Sequence, residues 1–253
     1  MKIGLLDSGV GGITVLKEVM SKYPKHEYLY YADTNRAPYG EKTEDAITSY
    51  CKEAIDFLKE QGAELIIFAC NTATKVALTP LKKQYPNLPL IGIEPPLEFV
   101  LERLVGHEKV ALFATPMTVK QISLSPIYSQ QPDRITLCPS VDLVRFAEQG
   151  EFSKDVIESY LKTTFSSIFT ERNTPNQEYQ YVILGCTHFP FFKPSFKRLF
   201  PNQTILDGTF LILKQLETLL DEHEQTSPSP SLYFFKNKQL VPHSTFKEWI
   251  ECY

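Results

Sequence analysis

The chain has 253 residues, 43% of them hydrophobic, which is enough to bury a full core in one large domain or two modest ones. Its 26 Lys+Arg against 30 Asp+Glu leave a net charge of -4, so it lacks the electrostatic footprint of a nucleic-acid binder. No stretch is long and charge-free enough to span a bilayer, and Met1–Asp7 reaches a carboxylate too early for a secretory apolar region, so the cytoplasm is the expected compartment.

In chain order, short apolar runs read as strands at Lys2–Leu6, Glu27–Ala32, Leu65–Ala69, Leu90–Ile93, Val110–Ala114, Ile135–Leu137, Tyr181–Leu184 and Thr204–Leu206. Longer amphipathic stretches separate them, and this alternation predicts an α/β fold with mainly parallel sheets. Ile47, Tyr50, Cys51, Ala54 and Leu58 recur at helical spacing, with Gly62 as the stop. Thr226–Ser231 alternates Ser with Pro and reads as a surface loop, because that pattern propagates neither a helix nor a central strand. A late strand at Leu232–Phe235 and a closing helix at Thr245–Tyr253, with Phe246, Trp249 and Ile250 on one face, complete the pass.

The five cysteines, at 51, 70, 138, 186 and 252, are scattered and odd in number, which fits neither a zinc site nor a disulfide scaffold. Cys51, Cys138 and Cys252 read as small apolar residues. Cys70 and Cys186 differ, because Leu65–Thr72 and Tyr181–His188 echo one another: a buried strand, a small residue, then Cys followed by polar groups. Ligands of open α/β sheets sit beyond the carboxyl ends of strands, and free amides at a helix start favour a thiolate. Two similar halves facing one cleft would therefore bring two thiols together. That suits inversion at carbon, where a base on one face removes a proton and an acid on the other supplies one. Cys186 and His188, two apart on an extended segment, could instead share a face as a hydrolase nucleophile and its base.

Asp7-Ser-Gly-Val-Gly-Gly12 follows the first strand; its glycines let backbone approach an anion, but their spacing is not a dinucleotide fingerprint. Asp33–Gly40 reads as a polar loop, and Thr115 and Thr118 offer two hydroxyls at another strand end, where either could cap a helix.

Together with Pro38-Tyr39-Gly40, Ile93-Glu94-Pro95 and Leu184-Gly-Cys-Thr-His-Phe-Pro190, in this order, the motifs resemble those of glutamate racemase over nearly the whole chain. The resemblance implies two similar α/β domains with mainly parallel sheets around a central cleft: 1–95 with a returning 207–253, and 96–206. It implies interconversion of L- and D-glutamate for peptidoglycan synthesis, with no cofactor or metal, and a homodimeric assembly. It places Cys70 and Cys186 as the two bases, Asp7 as helper to the first, and Glu148 and His188 as helpers to the second. Ser8, Tyr39, Gly40, Asn71, Thr72, Thr115, Thr118 and Thr187 would bind the substrate. Asp207-Gly208-Thr209 and Gln121 depart from the family pattern. A racemase of aspartate or of both acidic amino acids, a Cys/His hydrolase and an idle amino-acid-binding protein are the competing readings.

Overall fold

A computed structural model describes residues 1–171, 179–220 and 231–252. Among the described residues ten strands are present: β1 Lys2–Asp7, β2 Glu27–Ala32, β3 Leu65–Phe68, β4 Leu90–Gly92, β5 Lys109–Ala114, β6 Ile135–Pro139, β7 Tyr179–Leu184, β8 Thr204–Asp207, β9 Ser231–Lys236 and β10 Gln239–Val241. The first eight coincide with the apolar runs of the sequence to within a residue or two at each end. The central ones are apolar throughout because helices cover both faces: every residue of β3 is buried.

Six strands form one sheet in the order β10-β9-β2-β1-β3-β4, and four form a second in the order β6-β5-β7-β8. All pairings are parallel except β9 with β10. The second sheet therefore repeats the β2-β1-β3-β4 order of the first, with β7 in the place of β3. In this order the switch point lies between the first and third strands of each half, and their carboxyl ends are where ligands bind. Those ends carry Asp7 and Cys70 in one sheet and Thr115 and Cys186 in the other.

The helix expected between β2 and β3 spans Glu44–Glu60 and buries Ile47, Cys51, Ala54, Ile55 and Leu58. Thr43 caps its start by accepting from the Ala46 amide at 3.3 Å, and Gly62, at φ +89°, supplies the left-handed residue that ends it. Gly150, at φ +69°, plays the same part after the helix Asp142–Glu148.

The sequence reading missed β10. Asn237 and Lys238 both adopt positive φ, 50° and 68°, and link β9 to β10 as a two-residue hairpin turn. Asn-Gly is the usual signal for such a turn, and lysine in the second place conceals it. The closing helix also starts differently: His243–Phe246 is a 3-10 turn, and the α-helix occupies only Lys247–Cys252. Phe246 is buried and Trp249 and Ile250 pack beside the same core, as expected of one apolar face. Residues 226–230 of the Ser/Pro loop lie outside the described residues. Among the described residues no helix is long and apolar enough to cross a membrane.

Gly208 shows why one departure from the family pattern is tolerated here. A Cβ added at this position would collide with the Glu94 carbonyl and come within 2.8 Å of Ile93, so the start of the helix Thr209–Leu219 lies directly on the chain crossing between the sheets. Backbone cannot yield as a flexible side chain does. Gly208→Ala is expected to destabilise the fold by about 1–3 kcal/mol, read as a lower urea midpoint; an unchanged midpoint would overturn this packing assignment.

Candidate active site

Cys70 ends the β3 segment and stands just before the helical run that starts at Asn71–Ala73. The run passes through a π turn, Thr74–Leu78, before resuming at Thr79–Gln84. Pro80 has no amide to donate and its ring crowds the preceding turn, which accounts for the widening. Cys186 follows β7 but does not lie on an extended segment: residues 186–188 turn, His188 is helical at φ -77° and ψ -27°, and the 3-10 helix Phe189–Phe192 follows. The turn, not strand alternation, brings the Cys186 Sγ to 3.6 Å from His188 Nδ1.

Both thiols are 6% exposed. The Cys70 thiol donates to Ser8 Oγ at 3.8 Å. Burial, with the Asp7 charge adding to it, pushes its pKa up to about 12, and the charge of Cys186 contributes as well, which puts the two sulfurs within electrostatic reach of each other. Cys70 therefore rests protonated.

Asp7 is fully enclosed, and burial raises its pKa to about 6 against the lowering influence of His188 and the Gly9 amide. Its Oδ1 accepts from the Gly9 amide at 2.8 Å and its Oδ2 from the Thr187 hydroxyl at 3.0 Å. Glu148 Oε1 accepts from the Val10 amide at 2.9 Å and meets His188 Nε2 at 2.6 Å. Burial alone would lower the His188 pKa, but its contacts with Cys186 and Glu148 outweigh that and raise it well above the ordinary imidazole value. Glu148 and Cys186 thus favour the protonated form of His188.

The remaining expected residues lie together. Thr72 Oγ1 is 2.9 Å from Thr115 Oγ1 and 3.3 Å from Thr118 Oγ1, and Thr115 donates to Thr118 at 3.1 Å. Thr115 also caps the helix Pro116–Ser123. Asn71 Nδ2 donates to the Ile93 carbonyl at 3.5 Å, while its buried Oδ1 has no hydrogen-bond partner. The Tyr39 hydroxyl is committed to Asp33 Oδ2 at 2.6 Å. What Tyr39–Gly40 offers the cleft is therefore its backbone, and a Cβ on Gly40 would come within 2.7 Å of Thr115.

The glycine turn is not a phosphate cradle. A Cβ on Gly9 would strike the Glu148 carboxylate, and one on Gly11 would lie 2.5 Å from His188 Nδ1 and 2.6 Å from Thr187 Oγ1. The missing side chains make room for groups of the other half of the molecule. Sequence reasoning overlooked Thr14, whose hydroxyl lies 2.9 Å from the Gly11 carbonyl and 3.1 Å from that of Thr187, and Tyr30, which donates to the Gly9 carbonyl at 2.8 Å. Both read as core positions of a helix and a strand, and nothing local marks their hydroxyls. At the surface, Gln121 donates to Glu44 at 2.7 Å and Arg145 pairs with Glu41 at 2.6 Å, joining the segment after Gly40 to the second half.

Comparison with known proteins gives a consistent result. The profile of the Asp/Glu/hydantoin racemase family matches residues 13–216. Glutamate racemase 2 of Bacillus subtilis is 37% identical over 242 residues, spanning 94% of this chain and 89% of its own length. Among solved structures, glutamate racemase from Campylobacter jejuni superposes with a TM-score of 0.80 at 28% identity, covering 100% of this chain and 98% of its own. That from Francisella tularensis, in complex with D-glutamate, gives 0.79 at 27% identity, with 99% and 93% covered.

The enclosure of Asp7 has a thermodynamic signature. Its carboxyl favours the protonated form in the native state, so its contribution to stability is fully present below the ordinary value of 3.8 and lost as pH rises through about 6. Native stability minus that of Asp7→Asn should fall by roughly 2–3 kcal/mol between about pH 4 and 7. Urea unfolding across that range measures it, and parallel curves for the two proteins would disprove the assignment.

Proposed function

Because this chain belongs to the Asp/Glu/hydantoin racemase family, we propose that it interconverts L- and D-glutamate by passing the α-proton between two thiols across a closed cleft. The observation that carries this reading is the pair of buried cysteines at equivalent strand ends of two repeated sheets, each beside its own acid/base neighbour.

In the direction from L-glutamate, the Cys186 sulfur takes the α-proton, and the C–H electron pair remains on Cα, spread into the substrate carboxylate. Imidazolium at His188, itself held by Glu148, offsets the charge of the Cys186 thiolate before that step. The Cys70 S–H then delivers its proton to the opposite face, leaving a thiolate on Cys70 and a thiol on Cys186. Asp7 stands by the Cys70 side to rebalance its proton, and the reverse direction uses the same groups in the opposite order.

The hydroxyls of Thr72, Thr115 and Thr118 can turn from one another to donate to a carboxylate, aided by the amide ends of the helix Pro116–Ser123. Asn71 Oδ1 is a buried acceptor suited to the substrate ammonium. Ser8, Thr187 and the Tyr39–Gly40 backbone complete the enclosure. Exclusion of water strengthens each of these contacts. A cytoplasmic supply of D-glutamate for peptidoglycan and a homodimeric assembly belong to the same reading, which uses no cofactor.

Incubation with either enantiomer of glutamate in deuterated water should give inversion with deuterium at Cα, and Cys70→Ser or Cys186→Ser should each abolish it. If Cys70→Ser still inverts glutamate while Cys186→Ser does not, the two-thiol step is wrong; a native protein that inverts neither enantiomer defeats the racemase reading, and aspartate inverting in place of glutamate would move the substrate to the smaller acid. Gly9→Ala tests the turn. Its new Cβ would overlap the Glu148 carboxylate oxygen that meets both the Val10 amide and His188, so stability should fall by about 1–3 kcal/mol while kcat falls more than about tenfold.

A further inference from the structure

We infer that Tyr30 is a positioning residue for both proton-transfer sides, a role that rests on the racemase reading above. Tyr30 lies in the middle of β2, paired with Leu5 of β1 on one side and Phe234 of β9 on the other, and it is wholly buried. It lines no part of the substrate enclosure described above. Its ring is held edge-on by Phe234 and Phe246, at centroid distances of 5.7 and 6.0 Å, so the returning C-terminal segment fixes where its hydroxyl points.

That hydroxyl donates to the Gly9 carbonyl at 2.8 Å and abuts Gly12, where an added Cβ would lie 3.0 Å from it. The peptides it pins have further duties. The Gly9 amide donates to Asp7, and the carbonyl that Tyr30 holds belongs to the same peptide group as the Val10 amide, which donates to Glu148. A peptide group is planar, so fixing its oxygen fixes the direction of its N–H. One buried hydroxyl thereby aims the amide that orients Glu148 behind Cys186, and it steadies the turn whose preceding amide holds Asp7 on the Cys70 side. Removing it frees that peptide to rotate without removing any group that touches substrate.

Tyr30→Phe keeps the ring and deletes the hydroxyl. Tyr28→Phe is the matched control: Tyr28 is on the same strand, equally buried, and donates to the Tyr23 carbonyl at 2.5 Å, away from the cleft. Both variants should melt at lower temperature than the native protein. Tyr30→Phe should lower kcat about tenfold for both enantiomers with KM within about twofold, because positioning of the reacting groups is lost and ground-state binding is kept. Tyr28→Phe should leave kcat and KM within about twofold of native. If Tyr30→Phe tracks Tyr28→Phe, or loses KM alone, the hydroxyl is structural only and the inference fails. A native protein that does not racemise glutamate defeats the reading beneath it, an outcome that is separately visible.

Discussion

The close seating of Glu148, His188 and Thr187 on Gly9 and Gly11 of the turn Ser8–Gly12 is the contact on which the rest of this molecule depends. It crosses the two halves in both directions. Asp7, from the first sheet, is held by the hydroxyl of Thr187 from the second, and Glu148, from the second, is held by the Val10 amide of the first. Each carboxylate thus takes part of its orientation from the opposite half. If the halves parted, both carboxylates would lose a charge-assisted hydrogen bond at once, so the orientation of each exists only while the halves meet.

Closure also sets the electrostatics. Two thiols, the Asp7 carboxyl and an imidazole are buried, with the Glu148 carboxylate partly so, and there a charge persists only where a partner offsets it. Cys70, beside Asp7, is driven toward the thiol; His188, between Cys186 and Glu148, is driven toward the cation. The cleft is chemically lopsided although the fold around it is repeated. A proton that leaves one face of a carbon and returns to the other needs that inequality, because an acid and a base must stand ready together.

Around this centre the repeated strand order does the placing, and the periphery holds the halves in register. Phe234 and Phe246 of the returning segment pack on Tyr30 beneath the turn, and Trp249 donates to the Ala147 carbonyl one residue before Glu148. The links from Gln121 to Glu44 and from Arg145 to Glu41 are exposed, so each adds little to stability in water. They tie the segment after Gly40 to the second half.

The sequence by itself determined the strands, the α/β class and the family, because buried parallel strands are runs of apolar residues and the cysteine motifs are local strings. Resemblance also named a set of expected substrate-binding residues, of which Thr72, Thr115 and Thr118 lie within hydrogen-bond reach of one another. It could not reveal β10, whose turn uses Asn237-Lys238, or Thr14 and Tyr30, whose hydroxyls look like any others in a core helix or strand. Nor could it say why Gly9 and Gly11 are glycine, since the atoms that exclude a side chain there lie more than a hundred residues away. Tertiary structure alone decided which half holds which carboxylate and that Cys70 keeps its proton. Those outcomes depend on burial and on distances between groups remote in the chain, and neither quantity is a property of local sequence.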